Sequence, residues 1–74
     1  MRKFNLEEAK SGVKVCTRDG RKARIICFDY KGPFKTIIAL VENKETGFEE
    51  IKEYFWAGQE WLTHEGDEDL MIEE

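Results

Sequence analysis

The segment "FKTIIALVE", residues 34–42, limits what this chain can fold into more than any other. Alternation sets Phe34, Thr36, Ile38 and Leu40 on one side and Ile37, Ala39 and Val41 on the other. A short run rich in β-branched residues and apolar on both sides reads as an interior strand with cover on both faces. The chain has 74 residues, enough for a single small domain, 1–74, near the lower limit for an unassisted core. Five Phe, two Tyr and two Trp argue for a folded, aromatic-rich interior, since disordered chains are poor in such residues. The second cover must then come from a short helix or from the curl of the sheet.

The flanking segments supply both. "FNLEEAKSG" reads as a helix over 5–11. Asn5 is placed to cap it, Glu8 to complete a capping box, and Gly12 to end it. Two turns cannot stand alone, so Phe4, Leu6 and Ala9 are expected to dock on a sheet. Antiparallel strands are expected across 13–64. "VKVCT" and "KARIICF" form a hairpin around Asp19-Gly20 as a two-residue loop. Gly32 and Pro33 break the chain before "FKTIIALVE". "FEEIKEYFW" follows, with Ile51 and Phe55 on one face, and "EWLTH" is a fifth strand. Residues 65–74 form an acidic tail in which "LMI" adds at most a short edge strand. The expected fold class is α+β, mainly β: a short N-terminal helix followed by a five-stranded antiparallel meander curled into a small half-open barrel.

Charge is unevenly spread. Residues 1–35 hold ten Lys and Arg against four Asp and Glu, a balance of +6; residues 36–74 hold two against twelve, a balance of −10. Arg18, Arg21, Lys22 and Arg24 gather around the hairpin turn, with Tyr30 nearby. Arginine suits bidentate contact with phosphate, so this hairpin is a candidate contact for nucleic acid, another polyanion or a protein partner. The opposing reading is a solvated face neutralised by cross-strand acids such as Glu49, Glu50 and Glu53. No aromatic residue alternates with the basic ones, as single-strand binding would require.

Other candidates are weaker. With Asp19-Gly20 as the loop, Cys16 faces Ala23, and Cys27 lies about 13 Å further along the strand, too far for a disulfide. Both cysteines read as small buried hydrophobes. One His and no Cys-x-x-Cys give no basis for a metal site, and "EGDEDLMIEE" lacks the ligand spacing of a calcium loop. No cofactor or catalytic signature is present, so no enzymatic activity is expected. "YFWAGQEW" holds Trp56 and Trp61, either of which, left exposed, is a candidate hot spot for a partner. The N-terminus has no apolar leader, and no apolar run is long enough for a membrane span. A cytoplasmic setting without membrane attachment is the expectation.

The order of "FNLEEAKSG", "VCTRDGRKARIICFD", "IIALVE" and "YFWAGQEW" resembles that of small proteins from gut-type bacteria and their phages or mobile elements. The resemblance runs from Phe4 to about Leu70 and is most specific in "TRDGRKARII" and "IIALVE". It implies a small single-domain cytoplasmic protein of phage or mobile-element origin, and it carries over no activity and no functional residue. Taken together, the expectation is a non-enzymatic protein–protein interaction module, with weak self-association of basic hairpin to acidic surface as a second mode. Nucleic-acid or other polyanion binding through Arg18–Arg24 is the alternative.

Overall fold

The computed structural model describes residues 1–61 and 65–73. It contains strands β1 (Arg2–Lys3), β2 (Val15–Thr17), β3 (Lys22–Cys27), β4 (Ile37–Glu42), β5 (Glu49–Tyr54) and β6 (Leu70–Ile72), with one helix, α1 (Leu6–Lys10). All neighbouring strands are antiparallel, in the order β1-β6-β2-β3-β4-β5. This corrects the expected fold in three ways. The sheet has six strands, a strand precedes the helix, and the path is not a simple meander, because β6 returns to lie between β1 and β2. The sheet is also open rather than a half-barrel. The turn after β5 reaches back so that Leu70 N–H donates to the Gly58 carbonyl (2.8 Å), but the edges β1 and β5 do not pair. Closure requires the two edge strands to pair, and β1 has only two residues to offer. The expected fifth strand at "EWLTH" is absent at Glu60 and Trp61; residues 62–64, His64 among them, lie outside the described residues.

"LMI", read as an edge strand at most, is interior. Leu70, Met71 and Ile72 are all buried, as a continuous apolar run between two partners should be. Further ladder bonds flank it: Arg18 N–H to the Asp69 carbonyl (2.9 Å), Asp19 N–H to the Asp67 carbonyl (2.9 Å) and Glu73 N–H to the Lys14 carbonyl (2.9 Å). The acidic segment is therefore stitched directly to the basic hairpin.

The core lies on one face of the sheet, under α1. Ile37, Ala39, Val41, Tyr54 and Leu70 are buried there, with Phe4, Leu6, Ala23, Ile25 and Phe28 packed against them. Ala9, Val15 and Ile72 continue it. Full burial of each large apolar side chain contributes about 1.5–3 kcal/mol. The helix docks through Phe4, Leu6 and Ala9, as its sequence implies. Asn5 caps it by accepting from Glu8 N–H (3.0 Å), but the Glu8 carboxylate does not complete the box. It accepts instead from the Arg2 guanidinium at 2.7 and 3.2 Å, tying α1 to β1. The ring of Phe4 lies where a Cβ at Gly58 would be, 2.6 Å away, and Gly58 has φ +82°. Any other residue there would push Phe4 out of the core and strain the turn.

Two departures from simple alternation matter for the surface. β3 bulges between Ile25, opposite Ala39, and Cys27, opposite Ile38. The extra residue returns Phe28 to the core side, where it packs on both buried clusters. Among the described residues no layer covers the second face of β4, contrary to expectation. Ile38 and Leu40 are only half-buried, and the Arg24–Glu49 pair spans β4 from β3 to β5 over that face.

Candidate functional site

The hairpin loop is Arg18-Asp19-Gly20, one residue longer than expected. Thr17 N–H donates to the Arg21 carbonyl (2.9 Å), and Gly20, at φ +88°, donates to the Thr17 carbonyl (2.9 Å). This three-residue loop with a left-handed glycine is a common hairpin solution. It shifts the register by one, so Cys16 stands opposite Lys22 and Val15 opposite Ala23. Both cysteines are free thiols. Burial, reinforced by Glu73, raises the pKa of Cys16 and keeps its thiol protonated.

The basic residues of this hairpin are largely engaged within the fold. Arg21 has a side chain only 10% exposed. It bonds to Glu68 at 2.8 Å and Asp19 at 3.3 Å, and lies 3.9 Å from Glu50. Thr17 Oγ also donates to Asp19. Arg18 donates to the Gly66 carbonyl (3.3 Å) and faces Glu65 and Asp69 at 3.6 and 3.9 Å. Arg24 holds Glu49 bidentately at 2.7 and 2.8 Å. Lys22 alone of the four has no ion-pair partner among the described residues; it lines a hollow of about 440 Å³ beside Val13, Val15, Ile25 and Phe28. Glu53, named as a neutralising acid, faces Ile38 rather than the hairpin.

Glu68 is the centre of this network. It accepts from Lys52 Nζ (2.9 Å) as well as Arg21, and its carbonyl accepts from Tyr54 Oη (2.7 Å). Lys52 first, then Arg21, hold the Glu68 carboxyl below its ordinary range. Burial would raise Asp19, but the bonds from Thr17 and Arg21 outweigh it and leave Asp19 lowered. Burial, chiefly, raises the Tyr54 hydroxyl. The Asp69 carboxylate, itself buried, accepts from Glu60 and Gly66 N–H (both 3.0 Å) and shapes the turn before β6.

The aromatic candidates separate. Tyr30 lies in the loop before β4, packed over Gly32, with its N–H donating to the Thr36 carbonyl (2.9 Å). Trp56 is 68% exposed and stands in the turn after β5. Trp61 joins Pro33, Phe34, Lys35, Ile51, Glu53 and Phe55 around a shallow groove of about 500 Å³. Lys35 Nζ sits 4.6 Å from the Trp61 ring and 5.6 Å from that of Phe55, within cation–π range. This groove runs along β5 on its open side.

Ile51, in the middle of β5, is 74% exposed and Phe34 is 77% exposed. Ile51 and Phe55 share a face, as the sequence implies, but it is the groove side; Tyr54 turns inward, opposite Ile37. Ile51 and Glu53 were not singled out as partner contacts from the sequence. The signal was present in "EEIKE", where a lone apolar residue alternates with acids at 49 and 53. No group of acidic, His or Cys side chains among the described residues is arranged to hold a metal ion, and no described helix is long and apolar enough to cross a membrane.

A family model for Haemophilus phage HP1 protein YO09 matches residues 1–72, and the chain belongs to that family. No curated protein and no solved structure gives a significant match.

Proposed function

We propose that this member of a phage protein family is a small non-enzymatic interaction module that engages another protein along the groove beside β5. The observation that carries the reading is Ile51, exposed at the centre of a regular strand with Phe34 and Trp61 beside it. Covering such apolar surface is favourable by about 25 cal/mol per Å². The phage family suggests that the module works in the cytoplasm of a host cell; a gut-type bacterial host is the setting implied by the resemblance in its sequence.

The polyanion reading has less support. Arg18, Arg21 and Arg24 each already hold carboxylates, which phosphates would have to displace. Head-to-tail self-association through the hairpin meets the same objection. A photo-cross-linking residue at Ile51 or at Lys22 separates the readings in host cells. We expect a discrete protein adduct from Ile51 and none from Lys22. A nucleic-acid adduct at Lys22, with none at Ile51, would overturn the proposal.

A further inference from the structure

The two edges of the sheet differ in how they are protected. β1 is two residues long and both are charged, a common way of blunting an edge. β5 is six residues long, with an unbroken register against β4 and no proline or bulge. Its lysine does not guard the edge, because Lys52 turns to Glu68 and Glu60. Asn43 N–H donates to the Phe48 carbonyl (2.7 Å) and Thr36 N–H to the Tyr54 carbonyl (3.1 Å), so the even-numbered residues of this strand face β4. By the alternation of an antiparallel ladder, the backbone groups of Glu49, Ile51 and Glu53 face outward. None of the described turns or side chains bonds to those three backbone positions.

Resting on the reading above, we infer that the partner binds as an added β-strand on β5 and that the added segment is basic, with an apolar residue opposite Ile51. Main-chain bonds to Glu49, Ile51 and Glu53 would hold it, and alternate side chains would enter the groove lined by Phe34, Phe55 and Trp61. Charge selects its composition. Glu53 has no ion-pair partner among the described residues, nor do Glu42 and Glu45 at the turn end, while Glu49 is held by Arg24. The groove's cations are engaged: Lys35 lies over Trp61, and Lys52 is paired. A second copy is a poor occupant. Antiparallel pairing of two β5 strands about Ile51 sets Glu49 of each against Glu53 of the other, and like charges directly opposite destabilise a sheet.

The test is amide hydrogen exchange of the full chain, with tryptophan fluorescence in parallel. The probes are the blocked peptide Thr-Lys-Thr-Ile-Thr-Lys-Thr and its counterpart with Glu for both Lys. The lysine peptide is expected to slow exchange at Glu49, Ile51 and Glu53 about tenfold or more at saturation. The Glu peptide should bind about fivefold or more weaker, and E53K should narrow or reverse that preference. Three results overturn the inference. A fluorescence change without amide protection means that the groove binds, but not by strand addition, and leaves the interaction reading standing. Protection of these amides in the free protein at high concentration, with a dimer in sedimentation, makes the occupant a second copy. No response to either peptide in amides or fluorescence removes both the added strand and the groove as its site.

Discussion

The hairpin and the β5 edge carry similar raw material, charged residues beside apolar ones on regular strands, yet the fold treats them in opposite ways. At the hairpin, β6 inserts beside β2 and brings Glu65, Glu68 and Asp69 onto Arg18 and Arg21. The charge of Arg18 and Arg21 goes into holding β6 and the turn before it against the hairpin. At β5 no described strand is inserted, and among the described residues nothing bonds to the backbone beside the exposed Ile51. A cluster of like charge in a sequence is thus a poor guide to a binding surface when a complementary cluster can reach it. A lone apolar residue on an edge strand, left exposed by the described residues, is where the proposed partner is sought.

Three experiments bear on that contrast. The largest effect is expected within β5 itself, where inward and outward residues adjoin. Tyr54→Ala removes a fully buried ring and its bond to Glu68, and should cost about 3–5 kcal/mol in denaturant unfolding. The same truncation at Ile51 should change stability by less than about 0.5 kcal/mol. Equal losses at the two positions would mean that Ile51 is not on an open face. Next comes the hairpin. Arg21→Ala strands Asp19 and Glu68 in a partly closed site and should cost about 1.5–3 kcal/mol. Arg24→Ala breaks a solvent-exposed pair and should leave the midpoint nearly unmoved.

The smallest effect is expected on acidification. Glu68 and Asp19 have folded pKa values below their ordinary 4.5 and 3.8. Their contribution is complete above those ordinary values and is lost as pH falls through the lower, folded ones. Thermal midpoints should therefore decline below about pH 4.5, and Glu68→Gln should flatten part of that decline. A wild-type profile flat from pH 5 to pH 3 would show that the network adds nothing to stability.

Much of the architecture was legible because it is local. Asn5 before "LEEAK" capped a helix, Asp19-Gly20 turned a hairpin, and "IIALV" built the strand whose Ile37, Ala39 and Val41 form the floor of the core. Local signals erred by one residue at the hairpin, where Gly20 closes a three-residue loop rather than a two-residue one. They could not show that Glu8 would leave its cap for Arg2, or that Phe28 would re-enter the core across a bulge. Both depend on neighbours brought in from elsewhere in the chain.

The sequence by itself determined a β-rich chain with one short helix, a hairpin of positive charge and an acidic second half. Only the tertiary structure decided what those charges do. Strand pairing is a long-range choice: three residues, "LMI", have no periodicity to announce a partner, and their place between β1 and β2 follows from burial on both faces. That single insertion brings carboxylates to Arg18 and Arg21 and leaves β5 as the long edge of the described sheet.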